Sequence, residues 1–424
     1  MLTVIIMTVV LMGLTTTFWA IVGATRLVQE PGLAKRLPLM VSHPGCPKLS
    51  DVAVLTAAHN EEAVIENTIR SALQHVTADQ VFIVSDGSSD ATSQIAHSYG
   101  VNVLDLNPNR GKAGALAAGI EHFQLDRNFE VVLFLDADTE LAPDYFETGL
   151  PVFADPDVVA VAACARTQLD PAPHGFFANL FTHYRERLYQ VVQRLVKYGQ
   201  ATRGIDVVNI VPGFASMYRS RILPLIDIQA PGLVIEDFNM TFEIQQKKLG
   251  RIEFHPAAAV AFTQDPDNLR DYRKQVLRWA LGFWQTVRKH ASLRGKFWIS
   301  VWAYCIELVS SAFMFCFILP LLVLAGLAWV LFPDFFASQF PLFEPNWTVA
   351  LLVLVVGILI PDLLLSCFAA AITGRWKFLL LAPFFPLIRF VDAFLSLRAL
   401  IKALGQSVST GQWVSPERRK VVAA

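Results

Sequence analysis

The sequence predicts an α/β domain on a doubly wound, mostly parallel sheet, with transmembrane helices at its N- and C-terminal ends. Two observations carry that expectation. Between residues 50 and 290, apolar β-branched runs alternate with helical patterns, the signature of strands joined by crossover helices. Charged residues make up only 17% of the 424-residue chain, against about 25% in soluble domains. The shortfall lies at the N-terminus and after Trp298, which favours one soluble domain plus membrane helices over several globular domains. The net charge of -1 gives no general attraction to nucleic acid.

Leu2 to Ala24 is apolar and uncharged, long enough as a helix to cross about 30 Å of hydrocarbon. The small residues Gly23 and Ala24 also suit a cleaved signal peptide, but no Lys or Arg precedes the apolar run. Arg26, Lys35 and Arg36 follow it, so the expectation is a transmembrane helix over residues 1–25 with its N-terminus outside.

Strands are expected at Val52–Ala57, Val81–Val84, Val101–Leu106, Val131–Leu135 and Val158–Ala165, with helices at Glu61–His75 and Ala113–Phe123. Polar motifs directly follow the first, second and fourth strands, where open α/β sheets bind ligands. Phe176 to Tyr198 is amphipathic, with Arg185, Arg187, Arg194 and Lys197 interleaved, and suits either a core-facing helix or one lying at a membrane interface.

The C-terminal membrane region is expected over residues 297–404. Phe297–Phe332 exceeds one simple crossing, which indicates an interfacial lead-in before a span. Pro333–Asn346 carries no Lys or Arg and is placed outside, Val349–Ile372 returns, and Arg375 and Lys377 mark the cytosol. Phe378–Leu404, with Pro383, Pro386, Arg389, Asp392, Arg398 and Lys402, suits a broken, tilted or re-entrant segment. The basic stretch Arg418–Lys420 favours a cytosolic tail over 405–424, whereas an odd number of full C-terminal spans favours the outside. The five cysteines form no CxxC pair or zinc spacing, so no disulfide framework is expected.

Asp136-Ala137-Asp138 follows the strand Val131–Leu135. Two carboxylates two residues apart at a strand end converge on one hard cation, Mg2+ or Mn2+, which commonly bridges to substrate phosphates. Asp86, opening Asp86-Gly87-Ser88-Ser89-Asp90, is placed to accept a hydrogen bond from a base or ribose, while Ser88–Asp90 also reads as a helix start. Lys112 in Asn109-Arg110-Gly111-Lys112 stands near a helix N-terminus and would face phosphate. The adjacent pair Glu236 and Asp237 offers a general base for a hydroxyl. Gln275, Arg278 and Trp279 share one helix face in a basic stretch; indole stacks on sugar and guanidinium binds phosphate.

In order, Ala58-His59-Asn60-Glu61-Glu62, Ser85-Asp86-Gly87-Ser88, Gly111-Lys112-Ala113-Gly114-Ala115, Asp136-Ala137-Asp138, Glu236-Asp237 and the QxxRW of residues 275–279 resemble the family 2 glycosyltransferases. The subgroup they resemble is that of the processive polysaccharide synthases, which make poly-N-acetylglucosamine, chitin oligosaccharides, hyaluronan and cellulose. The resemblance implies a GT-A-like fold over residues 50–290, in the cytosol at the inner (plasma) membrane of a multi-pass protein. It implies an inverting, Mg2+- or Mn2+-dependent hexosyltransferase with a UDP-sugar donor and a growing polysaccharide acceptor, and it leaves room for a small membrane accessory subunit. Glu62 and Asp86 would then contact uridine, Lys112 the nucleotide, Asp136 the diphosphate side and Asp138 the metal. Asp237, beside Glu236, would be the catalytic base. Gln275, Arg278 and Trp279 would hold the diphosphate and the terminal acceptor sugar. Gly213 to Arg219, including Tyr218, resembles the acceptor-pocket loop. Ile235 stands where the family usually has Thr, and Ala118 where it usually has Asn, so the sugar stays open with UDP-N-acetylglucosamine preferred. No cyclic-dinucleotide domain is expected after the last helices. A non-processive transferase on a lipid-linked acceptor and an inactive scaffold or transporter subunit are the rival readings.

Overall fold

The computed structural model describes residues 13–30, 32, 37–41, 43–170, 172–291, 294–339 and 355–405. The strands are β1 (Val52–Ala58), β2 (Val81–Asp86), β3 (Asn102–Leu106), β4 (Val131–Leu135), β5 (Thr139–Leu141), β6 (Val158–Val161), β7 (Cys164–Thr167), β8 (Ala215–Arg219), β9 (Arg251–Glu253) and β10 (Val260–Thr263). A seven-stranded sheet has the order β3-β2-β1-β4-β8-β6-β9, and β5-β10-β7 form a small second sheet. In the large sheet β8 runs antiparallel to β4 and β6, and every other pairing is parallel.

Alternation along the strands explains why the sheet is covered on both sides. Ala53, Leu55 and Ala57 of β1 join one hydrophobic cluster, and Val52, Val54 and Ala58 join another. A strand that is apolar at every position needs cover on each face, which parallel sheets obtain from their crossover helices. The cover includes Ile65–Leu73 (α2), Thr92–Ser98 (α3) and Gly111–Phe123 (α4). Since β2, β1 and β4 are adjacent and parallel, residues 59–62, 86–90 and 136–138 emerge at one sheet edge.

Several boundaries differ from the sequence reading. Val158–Ala165 is not one strand: β6 joins the large sheet and β7 the small one, with Ala162–Ala163 as the switch. The helix expected from Glu61 begins at Ile65, because residues 59–62 are held in a turn by Ser88 and Asp90. The N-terminal helix, α1, runs Leu14–Gln29, and Gly13 at φ 84 precedes it. A Cβ on Gly13 would meet the Glu307 carboxylate, which accepts hydrogen bonds from the backbone N–H groups and hydroxyls of Thr15 and Thr16. Residues 1–12, Lys35, Arg36, residues 340–354 and the tail 406–424 lie outside the described residues.

Among the described residues three helices are long and apolar enough to cross a membrane. They are α8 (Lys296–Leu331, 36 residues), α9 (Val356–Thr373, 18 residues) and α10 (Lys377–Gly405, 29 residues). The segment expected to be broken is nearly continuous, with one 3-10 turn at Ala382–Phe384. All five cysteines are free.

The amphipathic segment forms α5: an α-helical Phe176–Leu188, a π-helical Tyr189–Lys197 and a last turn Tyr198–Gln200. It crosses α1 so closely that a Cβ on Gly23 would stand 1.9 Å from the Leu195 carbonyl oxygen, and one on Gly199 2.3 Å from that of Trp19. Arg26 of α1 closes the crossing, donating to the Tyr198 carbonyl at 3.2 Å and pairing with Glu253 at 3.2 Å. Gly199→Val is therefore expected to cost about 1–3 kcal/mol through overpacking, read as a lower unfolding temperature of the detergent-solubilised protein; an unchanged temperature would show that the crossing yields.

Candidate active site

At the sheet edge a single ammonium gathers the acidic residues. Lys112, at the second position of α4, reaches Asp136 Oδ1 at 2.7 Å and Glu236 Oε1 at 3.0 Å. Its Nζ also donates to the Gly213 carbonyl at 3.5 Å. Glu236 and Asp237 open α6 (Glu236–Lys247) after the extended residue Ile235. The Gly213 N–H donates to Asp237 Oδ2 at 2.8 Å, and a Cβ on Gly213 would lie 2.1 Å from Asp237 Oδ1. Only glycine admits that approach. Phe214 accepts from the Asp136 N–H at 2.7 Å, which ties the loop before β8 to the end of β4.

The electrostatics follow from that crowding. Burial opposes the Lys112 charge, but Asp136, Glu236 and Asp237 outweigh it and hold its pKa well above the usual lysine range. Burial also works against the charged form of Glu236, yet Lys112 keeps that pKa below the ordinary value. Asp237 takes the consequence: burial first, then the Glu236 charge, push it up to about 8. Asp136 is raised as well, by burial and then by Asp138, against the pull of Lys112. Asp237 Oδ1 is buried and accepts no hydrogen bond from a described residue, leaving a lone pair for an incoming donor.

Asp86 lies beside this cluster and is linked to it through α4. Its Oδ1 accepts from the Arg110 N–H at 2.7 Å, and burial raises its pKa despite that bond. Oδ2 is buried without a hydrogen-bond partner among the described residues. Exposed Glu62 accepts from the Ala91 N–H at 3.1 Å at the rim. Asp90 serves the turn, accepting from the Thr92 N–H at 3.0 Å.

Asp136 and Asp138 bear on the metal expectation. Among the described residues no three His, Cys, Asp or Glu side chains gather into a metal-holding group. Two hard oxygen donors are nonetheless what Mg2+ or Mn2+ uses when substrate phosphates and water complete its shell. Burial and then the Asp138 charge raise Asp136, and the two carboxylates at the end of β4 are hard oxygen donors of the kind such a cation takes.

Gln275, Arg278 and Trp279 are half-buried on one face of α7 (Leu269–Lys289), as the spacing predicts. Sequence reasoning missed their partner. Arg185 of α5 donates to Gln275 Oε1, and its guanidinium stands 4.2 Å from the Trp279 ring centroid. Arg185 also pairs with Asp265 at 3.4 Å, and the Asp265 carboxyl feels the charge of Asp138. A basic residue inside an amphipathic pattern was the available signal; nothing marked Asp265. Tyr218 departs from its expected place: it is fully buried, with its ring 5.1 Å from Phe134, and has no surface for an acceptor. Along β8 it alternates inward, under the acidic cluster.

The mixed sheet with one reversed strand, and the Asp136–Asp138 pair leaving β4, make up a GT-A-like fold. In the sequence comparison residues 53–223 match the model described as Glycosyl transferase family 2. Similar curated proteins include the poly-beta-1,6-N-acetyl-D-glucosamine synthase of Staphylococcus epidermidis, 25% identical over 257 residues, 57% of this chain and 58% of the relative. That of Staphylococcus aureus (strain COL) is 26% identical over 241 residues, 55% of each chain. The matched stretch thus spans little more than half the length of these relatives. Among solved structures, a mannosyltransferase from Pyrobaculum calidifontis in complex with GDP-Man and Mn2+ aligns over 86% of this chain and 99% of its own, at 18% identity and a TM-score of 0.49. Mannosyl-3-phosphoglycerate synthase from Rubrobacter xylanophilus aligns over 63% and 82%, at 19% identity and a TM-score of 0.38.

The raised Asp237 carboxyl makes stability depend on pH. Between 3.8 and about 8 the folded protein holds a proton that the unfolded chain has released, so stability falls as pH rises through that window. The unfolding temperature is expected to decline from pH 5 to 8.5, and Asp237→Asn, which mimics the protonated form, to flatten that decline.

Proposed function

We propose that the chain is a membrane-embedded, inverting glycosyltransferase that polymerises a β-linked polysaccharide from a UDP-sugar, with UDP-N-acetylglucosamine as the preferred donor. The observation that carries this is the grouping of Asp136, Glu236 and Asp237 around Lys112, with the acceptor motif of α7 linked to it through Arg185 and Asp265. The names of the staphylococcal relatives support the polymer and the sugar.

In this reading Asp86 and Glu62 hold the nucleoside, and the open Oδ2 of Asp86 accepts from it. Lys112 and Arg278 take the diphosphate. Asp136 and Asp138 would hold Mg2+ or Mn2+, which when bound offsets charge on the departing diphosphate. In its ionised form Asp237 takes the proton of the acceptor hydroxyl on Oδ1 as that oxygen bonds to the anomeric carbon and UDP leaves, which turns an α-linked donor into a β-linked product. Glu236 keeps its charge beside Lys112 and tunes Asp237. Gln275 and Trp279 hold the acceptor end, with Gly213 shaping the pocket floor.

The domain is assigned to the cytosolic face of the plasma membrane. Charged residues meet the domain at the membrane-helix ends: Arg26 with Glu253, Lys296 with the Gly204 carbonyl at 2.9 Å, and Arg375 with Asp170 at 3.0 Å. With α1 and α8 to α10, they suit the positive-inside tendency. Helix α10 packs along α7, with Tyr272 donating to Asp392 at 2.7 Å and Arg288 to the Ala403 carbonyl at 2.7 Å. A last helix held against the domain suits a cytosolic tail, and α5 with α8 to α10 would line the polymer's way out.

Membranes given radiolabelled UDP-N-acetylglucosamine and Mn2+ are expected to yield a ladder of products cut by β-specific hydrolases; a single added sugar would reject processivity. Asp237→Asn is expected to lower turnover by about 10²–10⁴-fold, the range of general-base catalysis, while UDP binding persists. Full activity of that variant would remove Asp237 as the base.

A further inference from the structure

Arg185 sits on α5, outside every motif that carries the proposed chemistry, yet its buried guanidinium grips both α7 residues proposed to hold the acceptor, Gln275 and Trp279. A terminal N–H donates to Gln275 Oε1, the Nε lies 3.4 Å from Asp265 Oδ1 as an ion pair, and the central carbon stands over the Trp279 ring, 4.2 Å from its centroid. The Tyr272 ring stands 5.3 Å away. Asp265 is itself fixed, accepting from Thr167 Oγ1 at 2.8 Å and from the Tyr189 hydroxyl at 3.1 Å. Trp279 is half-buried, so one face is closed by Arg185 while part of the indole stays open.

The geometry matters because a planar guanidinium lies over a ring while it donates to an amide and forms an ion pair with a carboxylate. Lysine offers a point charge and cannot do both. A side chain held on three sides has little rotamer freedom left, and it passes that restriction to whatever it holds.

We propose that Arg185 is a positioning residue for the acceptor: it fixes the Trp279 indole plane and the Gln275 amide, so that the terminal sugar stacks on the Trp279 face turned away from the guanidinium. This rests on the transferase reading above and deepens it. Asp265 anchors the arrangement near Asp138, since it follows β10, whose Thr263 pairs with Thr139 of β5. Arg185 thereby sets the distance between acceptor and donor without touching either.

The test uses the full chain in lipid nanodiscs, labelled with 5-fluorotryptophan, the Trp279 resonance being assigned by its loss in Trp279→Phe. The parent is expected to give one narrow Trp279 line. Arg185→Lys, and Arg185→Gln as a second variant, are expected to broaden or split that line while the Kd for UDP with Mn2+ stays within about twofold. In turnover with UDP-N-acetylglucosamine and β-linked N-acetylglucosamine oligosaccharides, the acceptor KM is expected to rise about tenfold or more, with the donor KM held. An unchanged Trp279 line in both variants overturns the proposal, as does a donor KM that rises together with the acceptor KM. A parent that transfers no sugar would sink the proposed function instead, and the resonance would still decide the role of Arg185.

Discussion

One half-buried ammonium among too many carboxylates is the constraint on which the site depends. Lys112 meets Asp136 and Glu236 directly and feels Asp237, so three potential negative charges share one positive charge in a partly desolvated corner. Such a group cannot be fully ionised without large cost. The fold meets that cost by leaving a proton on Asp237, whose pKa is raised to about 8. The same imbalance makes the corner ready for a cation and for a substrate that brings its own hydrogen-bond donors. Removing Lys112 would leave the carboxylates without their common partner, which is why its place at the start of α4 matters more than its exposure.

Everything that holds this corner comes from different parts of the chain. The sheet supplies Asp86 and Asp136 from the ends of the parallel strands β2 and β4, on either side of β1, α4 supplies Lys112, and α6 supplies Glu236 and Asp237. The Gly213 loop locks them, since its N–H holds Asp237 and its carbonyl accepts from Lys112. The glycine is needed because Asp237 occupies the space a side chain would fill.

Helix α5 connects this corner to the long apolar helices. Arg185 faces Gln275 and Trp279 of α7, whereas Arg187, two residues on, pairs with Asp362 of α9 at 2.6 Å. Arg389 of α10 reaches the same carboxylate at 2.6 Å, and Asp392 of α10 accepts from Tyr184 at 2.8 Å. Charges buried among apolar helices persist only when paired. These pairs fix α9 and α10 to the α/β domain in one register, so Gln275, Arg278 and Trp279 of α7 and the helices behind them share a support.

What the sequence determined by itself was the set of local features: strands as apolar runs, Lys112 at a helix start, two carboxylates leaving β4, and a helix face carrying Gln275, Arg278 and Trp279. Each is a short-range pattern, governed by side-chain period or by capping, and is legible within a dozen residues. Tertiary structure decided the rest. It divided Val158–Ala165 between two sheets, turned Tyr218 into the core, gave Glu307 to the N-terminus of α1, and made Arg185 and Asp265 part of the site. Those outcomes rest on contacts between residues up to 292 positions apart. Their energies come from burial and from charges meeting across elements, and neither leaves a mark in the neighbouring sequence.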